Sequence, residues 1–138
     1  MVNKLENSDI SLTRNQSLVI ETLTRTGRPL GAYAILDELR NDGFKAPLQV
    51  YRTLDQLIAL GLIHRLESMN AYVACQLEAC EAKDSQNTSF VICEKCNFAH
   101  EFPSSTVLQA VALLLNNLDF NLTKSAIEIR GLCKSCQS

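Results

Sequence analysis

Two Cys-x-x-Cys knuckles constrain this chain more than any other feature of its sequence. Cys93 and Cys96 form the first, Cys133 and Cys136 the second, with 36 residues between them. Two residues between cysteines let both sulfurs turn toward one point, and four soft thiolates suit a tetrahedral Zn²⁺. Such a site ties the middle of the chain to residues close to its C-terminal end, although the gap exceeds the spacing of a short zinc ribbon. The competing readings are a pair of disulfides or of redox-active dithiols. Residues 1–9 are polar and hold no apolar signal-peptide core. The longest strongly apolar run, residues 110–115, is far too short to span a membrane. These features point to a cytoplasmic protein with no membrane partner, where cysteines stay reduced and metal is favoured over disulfide.

Length and charge narrow the function. The 138 residues suffice for one ordinary domain or two small ones. Net charge is −2: residues 1–75 carry eight basic and eight acidic side chains, residues 76–138 five and seven. This is not the profile of a strong non-specific nucleic-acid binder. Any DNA binding must come from a locally basic face of the N-terminal half, acting in more than one copy.

The N-terminal half reads as three helices and a hairpin. Thr13 and Gln16 form a capping box ahead of Val19, Ile20 and Leu23, and Gly27 and Pro29 stop that helix. A second helix is expected over 32–41, with Ile35, Leu36 and Leu39 as its apolar stripe and Gly43 beyond it. Pro47 suits the first turn of a third, whose stripe is Val50, Leu54, Leu57 and Ile58, with Gly61 as its stop. Extended runs at 62–66 and 71–75 flank a turn-like segment, 67–70. Three short helices and a hairpin make a winged helix-turn-helix, with the third helix as recognition helix and the hairpin as wing.

Residues 76–88 are polar and acidic without clear periodicity and read as a linker. The expected domains are therefore 1–75 for DNA binding, 76–88 as hinge, and 89–138 as a dimerisation domain. Strands are expected at 89–92 and around 98–102. A helix follows Pro103, capped by Ser104 or Ser105, and a third extended region runs over 120–130. The fold class is α+β: a winged helix-turn-helix followed by a small α/β domain carrying the four-cysteine site. About 50 residues are marginal for folding alone. The helix stripe of Val107, Leu108, Val111, Leu114, Leu115 and Leu118, together with the zinc staple, points to a homodimer interface.

At this point the chain resembles the ferric uptake regulator family. Val50-Tyr51-Arg52-Thr53-Leu54-Asp55, with Leu57, Gly61 and Leu62, looks like its recognition-helix pattern. The paired knuckles and the run 127–133 leading into the second fit its dimerisation domain. Residues 64–68, 70–73 and Cys75 look most like the zinc uptake regulator branch. The likeness covers about residues 12–136, with departures. Gln49 stands where Thr is usual, Gly31 where a Ser cap is usual, and Gln86 where the zinc branch commonly offers a His. The His-x-His run that usually precedes the first knuckle is absent, and two histidines in all do not suit a histidine-rich iron or peroxide sensor.

The resemblance implies a cytoplasmic, dimeric, metal-dependent repressor of zinc-uptake genes that binds double-stranded operator DNA. Its only small ligand would be the metal ion. Arg52 and Tyr51 lie on the polar side of the third helix, where an Arg can reach guanine O6 and N7 or a phosphate. Gln49 and Thr53 could also reach DNA, Tyr33 is a contact by resemblance, and Arg14, Arg28 and Lys45 are candidate phosphate contacts. Taken alone, Cys75 would be a small buried hydrophobe and His64 a surface histidine. The resemblance makes them ligands of a second, regulatory Zn²⁺ with Glu101, while His100 alternates away from Glu101 along its strand. The fourth ligand is expected from Cys80, Glu81 or Asp84, with Cys80 the softest donor. Three other functions stand against this one. A zinc-stapled DNA-binding or scaffold protein would hold one zinc and sense nothing, and a same-family regulator would answer to another metal. A thiol–disulfide oxidoreductase would need a thioredoxin-like βαβ setting around its Cys-x-x-Cys, which neither knuckle has.

Overall fold

The computed structural model describes residues 11–77 and 86–137. Helix α1, Arg14–Thr26, opens on a reciprocal capping box: Thr13 Oγ1 accepts from the Gln16 N–H at 3.2 Å, and Gln16 Oε1 from the Thr13 N–H at 3.0 Å. It ends where Gly27 turns to φ 68 and donates its N–H to the Leu23 carbonyl, a conformation costly for any residue with a Cβ. Helix α2, Ala32–Leu39, is shorter than expected, because Arg40–Asp42 tighten into a 3₁₀ turn before Gly43 at φ 106. Helix α3, Pro47–Ala59, starts on its proline. The Leu62 N–H then reaches back to the Leu57 carbonyl at 3.1 Å across Gly61 at φ 73, a Schellman-type stop. The three helices close around Val19, Leu23, Ile35, Leu36, Phe44, Val50, Leu54 and Leu57, all at most 2% exposed. Each such large apolar side chain contributes roughly 1.5–3 kcal/mol by leaving water.

Strands β1, Ile63–Leu66, and β2, Ala71–Ala74, form the antiparallel wing, with Ile63 opposite Ala74 and Leu66 opposite Ala71. Leu30 adds a bridge to Tyr72 through two backbone hydrogen bonds of 2.8 and 3.0 Å, which ties the wing to the segment ahead of α2.

Strand β3, Asn87–Cys93, is the middle strand of a second sheet ordered β4-β3-β5. It begins two residues earlier than expected. Strand β4, Ala99–Glu101, pairs with it antiparallel and β5, Ser125–Gly131, parallel. A parallel neighbour requires a crossover, and helix α4, Ser105–Asn117, supplies it. Ser104 precedes α4 but makes no capping bond; its hydroxyl instead meets that of buried Ser89 at 2.8 Å. No described residue of α4 is buried, and Leu113, Leu114, Leu118 and Phe120 are all more than half exposed. The stripe expected at a dimer interface is divided: Leu114 and Leu118 are exposed, while Val107, Leu108, Val111 and Leu115 are half-buried.

A second apolar cluster joins the two sheets. Leu66 and Val73 of the wing pack with Phe90, Ile92 and Ala99 of β3 and β4, and Met69 covers them. The wing is therefore sealed against the C-terminal sheet.

Candidate metal centres and nucleic-acid interface

The parallel pairing of β3 and β5 builds the first centre. Cys93 stands opposite Gly131 in register, so both strands deliver their knuckle at the same end of the sheet. In the first knuckle the Asn97 N–H donates to the Cys93 carbonyl at 2.9 Å, with Asn97 at φ 63, and the Cys93 N–H donates to Phe98 at 2.8 Å. The second closes as a 3₁₀ turn, Lys134–Cys136. The Glu94 N–H on the Gly131 carbonyl, 2.8 Å, holds the knuckles side by side. The four sulfurs all lie within 4.8 Å of one another, and Cys96 Sγ is 3.9 Å from Cys133 Sγ. Four thiolates on one tetrahedral Zn²⁺ would stand about 3.8 Å apart. All four are free thiols in this structure, the state a metal site requires.

Ionisation in this cluster is uneven. Backbone N–H groups of Cys133 and Cys96 lower the Cys93 thiol to about 6. The Phe98 N–H, then the Arg28 guanidinium, lower Cys96. Cys136 is pushed up to about 12, first by its hydrogen bond with Cys133 and then by burial. Cys93 and Cys96 are thus shifted toward the thiolate and Cys136 toward the thiol, the split expected where thiols crowd one point.

The second cluster lies where the wing meets the C-terminal sheet. His64 on β1 and Glu101 on β4 are 2% and 5% exposed, with His64 Nε2 3.2 Å from Glu101 Oε2. The imidazole stands edge-on to Phe90, centroids 5.9 Å apart, so the sequence reading of His64 as a surface residue when taken alone is corrected. The Cys75 N–H donates to the Leu62 carbonyl at 2.9 Å, which keeps the chain beside β1 after β2 ends. Donor atoms of His64, Cys75 and Glu101 lie within 4.8 Å of one another. Cys75 is disulfide-bonded in this structure, and its Sγ lies 3.5 Å from the Leu77 carbonyl; only the reduced residue could ligate. Cys80, with Glu81 and Asp84, lies outside the described residues. Gln86 is exposed at the start of β3, and His100 faces solvent, stacked on Phe98, as its alternation with Glu101 requires.

Sequence reasoning did not single out Gln76. Its backbone N–H donates to Glu101 Oε1 at 2.8 Å, its side-chain oxygen accepts from the Glu101 N–H at 2.9 Å, and its Nε2 donates to Ala99 at 3.0 Å. The primary amide thus imitates a neighbouring strand and anchors one carboxylate oxygen, leaving the other toward His64. Its position next to Cys75 is the only signal the sequence offers.

The DNA-facing candidates sort by exposure. Tyr51 and Arg52 lie on the exposed side of α3 beside Leu48, and Tyr33, 65% exposed, stands on α2. Lys45 is exposed. Arg14 is exposed too, with Nη1 on the Asp42 carbonyl at 2.8 Å. Gln49 is exposed but its Oε1 accepts from the Lys45 and Ala46 N–H groups, at 2.7 and 3.0 Å, and so caps α3. Thr53 requires a correction: it is 4% exposed, donates its hydroxyl to the Gln49 carbonyl, and belongs to the inward face with Val50, Leu54 and Leu57. Arg28 is likewise engaged elsewhere, donating to the Cys96 carbonyl of the first knuckle.

Comparison with known proteins agrees with this arrangement. The family model described as the ferric uptake regulator family matches residues 7–130. The chain is 31% identical over 129 residues to the zinc uptake regulation protein of Escherichia coli (strain K12), covering 93% of this chain and 74% of that one. It is similar to a solved zinc uptake regulator complexed with zinc and DNA, with TM-score 0.81, 29% identity, and 94% and 85% of the two chains covered. Against holo XcZur the TM-score is 0.79 at 32% identity, covering 94% and 89%.

Proposed function

The chain belongs to the ferric uptake regulator family, and from that premise we propose that it is a zinc-responsive repressor, acting as a dimer on the operators of zinc-uptake genes. The family consists of transcription regulators, not enzymes. The observation that carries the zinc reading is the pair of separate donor clusters, one of four cysteines and one of His64, Cys75 and Glu101. Four thiolates with no hard donor suit a closed structural zinc, and imidazole, thiolate and carboxylate together suit a second one. A similar solved zinc uptake regulator is complexed with zinc and DNA, which supports a regulator that binds both.

The second cluster has the place a sensor needs. His64 and Cys75 are carried by the wing side and Glu101 by the C-terminal sheet. Holding all three donors together, with a fourth from Cys80, Glu81 or Asp84, fixes the wing against the sheet. In a dimer joined through α4 and the open edge of β5, that sets the spacing of the two α3 helices against two half-sites. Among the described residues no helix is long and apolar enough to cross a membrane, and a cytoplasmic regulator fits.

Metal counting joined to operator binding tests this reading. The reduced dimer should hold at least two zinc per chain and bind a partly palindromic duplex more tightly as the second zinc loads. The disulfide at Cys75 favours one other reading, a zinc-stapled DNA binder that holds one zinc per chain and binds DNA regardless of added metal. That outcome would displace the sensor. Arg52→Ala should weaken specific binding by about 1–3 kcal/mol if its guanidinium makes a bidentate base contact. Lys45→Ala should instead weaken binding to all sequences and flatten the salt dependence. A gel-shift titration in which Arg52→Ala binds its operator like wild type would remove α3 as the reading helix.

A further inference from the structure

We propose that Glu128 is a latch that docks the turn of the wing onto β5 and so fixes the orientation in which α3 is offered to DNA. The turn spans residues 67–70 between β1 and β2, with Asn70 at φ 49. The Glu128 carboxylate accepts from the Glu67 N–H at 2.9 Å, from the Ser68 N–H at 3.0 Å, and from the Ser68 hydroxyl. Three donors on one carboxylate are charge-assisted bonds, the strong class of hydrogen bond. Glu128 stands opposite Phe90 in the β3–β5 register, and Phe90 shares an apolar cluster with Leu66, the residue immediately before the turn. The latch is itself solvent-exposed but borders the edge of a packed core. Lys124, 3.9 Å from the Glu67 carboxylate, adds an exposed ion pair beside it.

Two things follow from this position. Backbone N–H groups and a hydroxyl at a wing tip are the groups a nucleic-acid phosphate would accept from. Here a carboxylate of the same chain takes them, so the turn is a docking element and DNA contact falls to α3. The latch is offset from the cluster of His64, Cys75 and Glu101: Glu128 and Glu101 flank Phe90 on opposite neighbouring strands, two strand spacings or roughly 10 Å apart. One point of attachment between two bodies leaves rotation about that point; a second, offset attachment removes it. Glu128 thus acts as a positioning residue, through the turn it holds.

The inference rests on the DNA-binding reading for its consequence but not for its first test. Amide hydrogen exchange on the zinc-loaded wild-type protein should show Glu67 and Ser68 protected, and Glu128→Gln should speed their exchange about tenfold or more while the β1–β2 ladder keeps its protection. Ser68→Ala, which spares β5, should act in the same direction. The double variant should lose little beyond Glu128→Gln alone, because both remove one contact. In operator titrations at saturating zinc, Glu128→Gln should weaken binding about tenfold with zinc content and salt slope unchanged, since no phosphate contact is lost. Equal exchange of the two amides in wild type and variant overturns the latch. So does an operator affinity within about twofold of wild type. Failure of the wild-type protein to bind any operator with zinc would sink the proposed function instead, and the exchange experiment would still decide whether the latch exists.

Discussion

Cys93→Ser should remove one tightly held zinc per chain and open the C-terminal sheet. Cys93 is 3% exposed at the end of β3, and its sulfur lies within 4.8 Å of those of Cys96, Cys133 and Cys136. A serine hydroxyl is a poor zinc ligand, so three thiolates would be left around a site built for four. Structural zinc contributes on the order of 10–16 kcal/mol to small metal-dependent folds. Among the described residues no α4 side chain is fully buried, so the sheet's other support is the cluster it shares with the wing, Leu66, Val73, Phe90, Ile92 and Ala99. The variant should lose one equivalent in a metal count and shift toward monomer in sedimentation, while α1, α2 and α3 keep their helical signal around their own core. Acid should release the same zinc from wild type, since capture must expel the protons that the metal-free cluster holds most tightly at Cys136. Unchanged zinc content with an intact dimer would end the structural-zinc assignment.

Cys75→Ala should do the opposite: keep the four-cysteine zinc and the dimer, yet lose the zinc stimulation of operator binding. His64 and Glu101 would remain paired at 3.2 Å, so the local fold survives, but two donors from the described residues do not make a zinc site. Without the ion the competent orientation is populated less, and apparent affinity falls by that fraction. Coupling of this kind is typically about 5- to 150-fold, and linkage requires the operator to tighten zinc by the same factor in wild type. The wild-type reference must be measured under reductant, because only a reduced Cys75 can ligate. Comparing Cys80→Ala with Glu81→Ala and Asp84→Ala in the same titration identifies the fourth donor. A full zinc response in Cys75→Ala would mean that the cluster between wing and sheet senses nothing.

What the sequence disclosed is local. The capping box at Thr13 and Gln16, the glycine stops at Gly27 and Gly61, and the helix start at Pro47 are signals carried within a few residues, and the structure has each of them. The two knuckles are likewise self-contained. What stayed hidden depends on which distant segments meet. Alternation near Ile127 and Ile129 marks a strand but cannot say that it pairs parallel with β3. Nothing near His64 announces that Phe90 and Glu101 will bury it. Arg28 looks like a phosphate ligand until the fold sets the Cys96 carbonyl beside it. Thr53 is different, because its inward position was legible: Val50, Thr53, Leu54 and Leu57 follow helical spacing, and the hydroxyl drew attention to the wrong face.

The cluster of Leu66, Val73, Phe90, Ile92 and Ala99 also bears on how the molecule comes apart. Functional labels divide the chain near residue 75, but cohesion does not break there. A fragment cut at that point would leave Leu66 and Val73 facing water, and one beginning at β3 would do the same to Phe90 and Ile92. Sub-global opening follows shared burial rather than the order of the chain. The wing is shared between two cores: Leu62, Ile63 and Tyr72 pack among the three helices, Leu66 and Val73 against the C-terminal sheet. One hairpin therefore couples the loosening of either core to the other.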